Sequence, residues 1–286
     1  MLWQSAHSEL MAMPKYDRIA IYVFRQLAKG HTEATLPNDL VFNQGDVVAA
    51  MKAAVDDGVI DKDVRNVPDV KYTYDARREF PAEIEQLGPR TWLQCGKGKY
   101  VLKKTRRKNI IDLPGSLDRV PPTQAAVDQT PQFIADLLGT DEQATFTRVR
   151  NASVMFSVLG FQISPLQGHH RTSVSYGQIE IDEVHAGIDQ NGVVTIVPIS
   201  GKGGQDKLSW SQALNLNTYA AKLAAEKAPQ MKLAWRSLGL WRDNQNTIWI
   251  VEFTPETDID MIEIATVKRF KFQSSALQRQ AELVAI

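Results

Sequence analysis

Two acidic residues and a lysine fall at alternate positions on two neighbouring stretches whose composition is typical of β-strands. The stretches span residues 177–188 and 193–202, and the short turn between them ends at Gly192. A three-residue loop with glycine in the left-handed conformation is a common way to close a β-hairpin. The pattern therefore predicts an antiparallel hairpin that carries Asp182 on its first strand and Lys202 on its second.

The register of this hairpin decides which side chains meet. With a loop of three residues, Asp182 faces Ser200. In the same register, Glu180 faces Lys202. Because side chains alternate between the two faces of a strand, these four lie on one face, and Glu183 points to the other. We therefore expect two carboxylates and an ammonium group to converge on one patch.

A patch of this kind suits the metal-assisted hydrolysis of a phosphodiester. Mg²⁺ prefers one or two carboxylates together with waters and phosphate oxygens, and it polarises the phosphoryl group and acidifies a bound water. A nearby lysine can orient that water. The alternative is an ordinary cross-strand pair of glutamate and lysine on a solvated sheet face, worth about 0.2–1 kcal/mol. Spacing alone favours neither interpretation.

An acidic residue on one strand, a hairpin turn and an x-x-Lys on the next strand resemble the PD-(D/E)XK nuclease superfamily. The wider similarity is to a group of bacterial restriction-type endonucleases, and it rests on residues 141–143, 167–173, 178–183, 187–189, 201–208 and 225–229. It covers Leu137–Pro229 and extends faintly to the first part of the chain. The resemblance implies a four-stranded mixed sheet flanked by helices, dependence on Mg²⁺ and cleavage of DNA.

The residues of the superfamily's motif can be carried over one by one. Asp182 matches the metal-binding aspartate, and Lys202 matches the lysine. Ser200 stands where the superfamily prefers Asp or Glu, so one metal ligand of the pattern is absent. Glu180 can supply a replacement carboxylate, and Glu183 can do so if the strand is bulged. Alternatively, the site is degenerate and binds DNA without cutting it.

A glutamine close to the end of the lysine strand extends the resemblance. A helix is predicted from Ser209, as the N-cap, to about Lys227. Gln212 lies in its first turn and resembles the glutamine that some nucleases of the superfamily place beside the metal site. The alternative is an ordinary polar residue of a first helical turn.

The first part of the chain is predicted to form a separate module. Helical spacing of apolar residues predicts two helices, and a glycine turn between two β-rich runs predicts a hairpin; these elements are Asp17–Leu27, Gly45–Asp57, Thr91–Cys95 and Tyr100–Leu102. Helices followed by a hairpin suggest a winged-helix-like module. The segment 109–130 is rich in proline and polar residues, which is typical of a linker.

This organisation predicts two domains. Residues 1–110 are expected to form the winged-helix-like module, which would help to hold DNA. Residues 111–286 are expected to form an α/β (α+β) domain with a PD-(D/E)XK-like mixed sheet of four to five strands flanked by helices.

Basic side chains cluster after the predicted first hairpin and again in the second domain. Such side chains can contact nucleic-acid phosphates, and the candidates are Lys103, Lys104, Arg106, Arg107, Arg148, Arg150, His169 and Arg171. For the run 103–108 the alternative is the solvated start of a linker. For His169 and Arg171 the alternative is an ordinary surface loop.

Composition limits the other classes of protein. The chain has 286 residues, and its 33 basic and 33 acidic residues cancel, so global charge indicates no nucleic-acid partner. The single cysteine, Cys95, excludes an intrachain disulfide and a cysteine-cluster zinc site. No apolar run approaches the roughly 20 residues that a membrane helix needs. We expect no secretory signal, no membrane partner and a cytoplasmic location.

Together these patterns predict a Mg²⁺-dependent DNA endonuclease, most simply a type II restriction enzyme. Cutting both strands of double-stranded DNA normally needs two active sites, so a homodimer is expected, and a cognate DNA methyltransferase would accompany it. Two alternatives stay open at this point. One is a non-catalytic DNA-binding protein on a degenerate nuclease fold. The other is a structure-specific repair or recombination nuclease.

Overall fold

The computed structural model describes residues 7–62, 64, 66–115, 117–139 and 141–274. Its α-helices are α1 His7–Ala12, α2 Lys15–Leu27, α3 Gln44–Asp56, α4 Val67–Tyr72, α5 Ala82–Glu85, α6 Gln132–Ala135, α7 Glu142–Asn151, α8 Val154–Leu159 and α9 Trp210–Lys227, with a π-helical turn at Thr73–Arg77. Its strands are β1 Asp39–Asn43, β2 Arg90–Gly96, β3 Lys99–Lys104, β4 Thr123–Asp128, β5 Ile163–Val174, β6 Gly177–Ile188, β7 Val194–Gly203, β8 Leu233–Trp235, β9 Ser237–Arg242, β10 Ile248–Phe253 and β11 Ile264–Ser274.

The chain divides into two compact units. Unit 1 comprises the described residues of Met1–Ile111, Ser173–Ile179 and Ser209–Ser211. Unit 2 comprises those of Asp112–Thr172, Glu180–Leu208 and Gln212–Ile286. The first segment of unit 1 thus ends one residue after the domain boundary expected from the sequence, and two short later segments join it.

Unit 1 combines helices with a small antiparallel sheet in the order β1-β3-β2. The predicted helices and hairpin of this region are confirmed as α2, α3, β2 and β3. A capping box fixes the start of helix α3. The Asn43 side chain accepts hydrogen bonds from N–H groups of the first helical turn, and the Asp46 side chain accepts one from the Asn43 N–H. The core beneath the sheet contains Phe42 and Trp92, whose rings meet edge to face at 5.1 Å.

Unit 2 is built on a large mixed sheet flanked by helices. In the described residues the strands lie in the order β4-β11-β10-β9-β7-β6-β5, and β8 pairs with β7 as an eighth strand. Parallel pairs join β7 to β9 and β11 to β4, whereas the other pairs with a known register along this order are antiparallel. The fold class is therefore mixed α and β, as predicted, but the sheet is larger than the four to five strands expected.

The extra strands come from segments whose sequence does not show a strand pattern. The expected linker at 109–130 contains β4, which pairs in parallel with β11, about 145 residues further along the chain. Residues 167–173, expected to form a loop, lie in β5. Most side chains of β5 are exposed on both faces, so the alternation of apolar and polar residues that predicts a half-buried strand is absent.

The register predicted for the central hairpin is confirmed. Strands β6 and β7 pair from Glu183 opposite Ile199 to Ile188 opposite Val194. Gly192 takes a φ of 75° in the turn, which glycine adopts without strain. This register fixes which residues of β7 face which layer of the unit.

The two faces of β7 have different roles. Val197 and Ile199 belong to the core that contains Phe146 of α7 and further side chains of α8. Ser200 and Lys202 alternate with these residues and therefore lie on the other face. None of the helices that the structure describes is long and apolar enough to cross a lipid bilayer.

Candidate active site around Lys202

Lys202 lies near the end of β7 with only 8% of its side chain exposed, and its Nζ is 3.9 Å from Oε1 of Glu142. Glu142 is the first residue of α7, whose N-cap Asp141 accepts a hydrogen bond of 2.9 Å from the Ala144 N–H. The start of α7 therefore holds the carboxyl of Glu142 beside the buried end of a strand. The sequence assigned no role to Glu142, although it lies within the resemblance and directly follows an N-cap aspartate.

Helix α7 comes this close to β7 because position 201 has no side chain. A Cβ on Gly201 would lie 2.6 Å from a ring carbon of Phe146, well inside van der Waals contact. The ring of Phe146 is fully buried in the core of unit 2. The absence of a side chain at Gly201 therefore lets α7 approach β7 closely and helps to place Glu142 beside Lys202.

The carboxyl of Glu142 has an altered affinity for its proton. Burial raises the pKa of Glu142 above its ordinary value, and the negative charges of Asp182 and Asp206 raise it further. The positive charge of Lys202 acts in the opposite direction and lowers this pKa, but it does not cancel the effect of burial. A carboxyl that retains its proton more readily than usual is suited to act as an acid and a base.

Asp182 occupies the position predicted for it, opposite Ser200. Its Oδ2 accepts a hydrogen bond of 3.0 Å from the Ser200 hydroxyl and one of 2.7 Å from the Gly201 N–H. Ser200, which replaces the acid of the superfamily pattern, is thus a hydrogen-bond donor to Asp182. These two bonds hold the carboxylate against the strand that carries Lys202.

Glu180 does not form the predicted pair with Lys202. Its Oε2 accepts a hydrogen bond of 3.0 Å from Nε of Arg171, and its Oε1 is 3.5 Å from Nδ1 of His169. Both partners lie on β5, the strand that the sequence did not predict. Glu180 thus contacts two basic side chains of the neighbouring strand, and the carboxyl that lies beside Lys202 is that of Glu142.

Glu183 points to the opposite face, as the alternation predicts. It is 4% exposed, and its Oε2 lies 2.6 Å from Nε2 of His185. Its Oε1 is 3.4 Å from a guanidinium nitrogen of Arg150. Two basic groups thus contact this carboxylate, which lies on the face away from Asp182. Its predicted role as a substitute metal ligand required a bulge in the strand.

The acidic side chains that the sequence predicts as metal ligands are hydrogen-bonded to other residues of the protein. The described part of the chain contains no group of three or more His, Cys, Asp or Glu side chains placed to hold a metal ion. Asp182 and Glu180, the expected ligands, each accept hydrogen bonds from other residues. Mg²⁺ binding stays a prediction.

The remaining site residues predicted from the sequence are a glutamine and several basic side chains. Gln212 is half-buried in the first turn of α9. Arg148 pairs with Asp128 at 3.8 Å, and the guanidinium of Arg107 lies 3.7 Å from the centre of the Trp210 ring. Lys104 and Arg106 are exposed, and Lys103 is half-buried. The basic run therefore includes one residue that packs on an aromatic ring and others that face solvent.

Comparison with known proteins gives one informative similarity. No family model matches the chain, and no solved structure matches it. A protein named transaldolase from Mycolicibacterium smegmatis is 23% identical over 255 residues, which covers 85% of this chain and 67% of the relative. The similarity thus extends across both units.

This similarity corrects the function predicted from the sequence. A DNA endonuclease of the restriction type is wrong, and so are the two alternatives, the non-catalytic DNA-binding protein and the repair nuclease, because the relative that spans most of the chain has another activity. The structure supplies a physical reason. The prediction needed Glu180 and Asp182 to converge beside Lys202, and Glu180 pairs with Arg171 instead. Over most of its length the chain is similar to a protein named transaldolase. In this chain, the buried Lys202 lies beside the carboxyl group of Glu142.

Proposed function

We propose that the chain is an enzyme of carbonyl chemistry, in which the amine of Lys202 forms a Schiff base with an aldehyde or ketone. One observation carries this proposal: the lysine is 8% exposed and lies 3.9 Å from the carboxyl of Glu142. Burial raises the pKa of that carboxyl, so it can hold the proton that the reaction needs. Lysine amines are the common nucleophiles of imine-forming enzymes.

The side chains of the site match the steps of imine formation. The Glu142 carboxylate takes a proton from the Lys202 ammonium, and the lone pair freed on Nζ forms a bond to the carbonyl carbon as the carbon–oxygen π bond breaks. A second proton moves from Nζ to that oxygen, which becomes a hydroxyl group. The Glu142 carboxyl then gives its proton to the departing oxygen, which leaves as water. The product is a protonated imine beside the Glu142 carboxylate, so the positive charge on nitrogen keeps a negative partner.

The environment of Lys202 supports this chemistry further. Asp182 is held in place by Ser200 and Gly201, and its negative charge helps Glu142 to retain a proton. Little of the lysine is open to solvent, which protects an imine from hydrolysis. The transaldolase relative supports the same class of substrate, since aldol transfer is chemistry at a carbonyl group.

The proposal is tested by trapping the imine with sodium borohydride. The protein is incubated with limiting hydroxyacetone or glycolaldehyde, reduced and digested, and the labelled lysine is identified by mass spectrometry. We expect the adduct on Lys202 in the native chain and its loss in Lys202→Arg, which keeps the charge but forms no imine.

Lys222 provides a matched control for this experiment. It also lies near a glutamate, with Nζ 3.6 Å from Glu226 Oε1, but its side chain is 42% exposed. The Lys222→Arg protein should keep the adduct on Lys202. Labelling of Lys222 and Lys202 to the same extent, or no label on Lys202 with either probe, contradicts the proposal.

For the fold, we infer the finer assignments that the sequence suggests. In unit 1, two helices and a three-stranded antiparallel sheet support a winged-helix-like module. In unit 2, a mixed sheet with the β6–β7 hairpin at its centre supports a PD-(D/E)XK-like arrangement. These inferences concern architecture alone. The homodimer and the companion methyltransferase stay predictions.

A further inference from the structure

A small pocket of about 120 Å³ lies on the face of the large sheet that carries α7 and α8. Its polar lining residues are Arg150, Ser153, Gln162 and His185, and apolar side chains that include Met155 and Phe156 complete the wall. Four of the lining residues are polar and four are apolar, and polar groups that converge on a concave site can fix the orientation of a small molecule. The pocket uses the opposite face of β6 from the one that carries Asp182.

His185 contributes an unusual group to this pocket. The residue is 2% exposed, and its Nε2 lies 2.6 Å from a carboxylate oxygen of Glu183. Because a carboxylate only accepts, Nε2 carries the hydrogen of this bond. The other ring nitrogen, Nδ1, is buried and has no hydrogen-bond partner among the described residues. In the neutral imidazole, Nδ1 is therefore a hydrogen-bond acceptor to which none of the described residues donates.

Arg150 supplies the charge at the same pocket. One guanidinium nitrogen is 3.4 Å from Glu183 Oε1, and another donates to the Thr147 hydroxyl at 3.2 Å. The side chain is 39% exposed, so it reaches solvent as well as the pocket. A guanidinium has five N–H donors and can bind a second carboxylate while it keeps these contacts.

We propose that this pocket binds a small hydroxycarboxylate. The hydroxyl of the ligand donates to Nδ1 of His185, and its carboxylate accepts hydrogen bonds from Arg150. Glu183 acts as a positioning residue, since it fixes the hydrogen of His185 on Nε2 and turns Nδ1 toward the ligand. A molecule of the size of glycolate or lactate suits a volume of about 120 Å³.

The test compares glycolate with two probes that each lack one of its groups. Acetate has the carboxylate without the hydroxyl, and ethylene glycol has hydroxyls without the carboxylate. Calorimetric titration of the full chain should give glycolate a dissociation constant about tenfold below that of acetate, because one buried hydrogen bond of about 1.4 kcal/mol is added. The ¹⁵N resonance of His185 Nδ1 should shift with glycolate and not with acetate.

Three variants separate the contributions. His185→Leu removes the Nδ1 acceptor and introduces no other acceptor, so it should abolish the preference for glycolate over acetate. Arg150→Gln should lower the affinity of the chain for glycolate and for acetate about tenfold or more. Arg148→Gln is the matched control, because Arg148 lies two residues away on α7 with the same 39% exposure and pairs with Asp128. It should bind glycolate as the native chain does.

Several results would overturn the proposal. Equal affinities for glycolate and acetate exclude Nδ1 as an acceptor for the ligand. Equal effects of Arg150→Gln and Arg148→Gln exclude Arg150 as the anchor. If His185→Leu does not fold, the ¹⁵N titration of the native chain decides, and an Nδ1 resonance that glycolate leaves unchanged contradicts the inference. The test is independent of Lys202, so the two proposals can fail separately.

Discussion

Acidic side chains of the same type take different roles in this protein because their surroundings differ. Glu142 lies beside a buried lysine, and burial raises its pKa. Glu180 is 41% exposed and pairs with Arg171, whereas Glu183 is buried between His185 and Arg150. The alternation along β6 places Glu180 and Glu183 on opposite faces, and the arginine that pairs with each lies on a different element: Arg171 on β5 for Glu180, and Arg150 on α7 for Glu183. Identity and spacing alone therefore do not assign a carboxylate to a site.

Glu85 allows a measurable prediction at the same scale. Burial and then the negative charge of Glu79 raise the pKa of Glu85, Lys108 acts against both, and the resulting pKa is about 7. Neither carboxyl oxygen has a hydrogen-bond partner among the described residues. Because the folded state holds this proton more tightly than the unfolded state, stability is greatest at low pH and falls as the pH rises toward about 7.

The Glu85→Gln protein should lose this part of the pH dependence. The amide stays neutral, so the melting temperature should fall less between pH 5 and pH 8 than that of the native chain, as followed by circular dichroism. Glu33→Gln, at an exposed position, is the control and should behave as the native chain. A parallel fall for Glu85→Gln and the native chain would show that Glu85 titrates normally.

At the scale of the element, the contact between α7 and β7 depends on glycine. A Cβ at Gly201 would lie 2.6 Å and 2.8 Å from two ring carbons of Phe146, and that ring is fully buried. At Gly203 the nearest atom is 3.9 Å away, which is ordinary contact. Both glycines lie on the same strand, so they form a matched pair for substitution.

Gly201→Ala should lower the free energy of unfolding by about 1–3 kcal/mol, because the helix must move off the strand to admit the methyl group. Gly203→Ala should change it by less than about 1 kcal/mol, since the added methyl group meets no close atom. Denaturant unfolding monitored by tryptophan fluorescence measures both. Equal losses for the two variants would show that α7 does not pack on Gly201 as described.

At the scale of the whole molecule, the residues that the structure describes form two hydrophobic cores that share no residue. One lies in unit 1 and includes Ile19, Phe24 and Trp92. The other lies in unit 2 and includes Phe146 and Val197. Phe24 and Phe146 are both fully buried. Separate cores allow separate regions of a chain to open with different free energies.

Truncation of either phenylalanine should therefore act mainly within its own unit. Phe24→Ala and Phe146→Ala should each cost about 3–5 kcal/mol locally through loss of buried surface and the cavity left behind. Hydrogen exchange should increase in α2 and α3 for the first and in β7 and β9 for the second. Val41→Ala, at a residue that is 65% exposed, should leave both patterns unchanged. Equal increases in both units from either variant would contradict two separate cores.

The elements that the sequence predicted are those whose signals are local. Helices α2, α3 and α9 follow from apolar spacing and caps, and the β6–β7 register follows from one loop length and Gly192. Local signals could not predict β4, because its strand is completed by β11 far along the chain. They also missed β5, whose faces are both largely exposed.

The sequence by itself determined the mixed α and β class, the strand that carries Lys202, and the pairing of Asp182 with Ser200. Only the tertiary structure decided that Glu142, 60 residues earlier, is the carboxyl beside that lysine, and that Arg150 and His185 share Glu183. The physical reason is that strand register and helix caps depend on neighbours in sequence. The partner of a charged group depends on which elements pack against it, and that is settled only when the sheet and α7 come together.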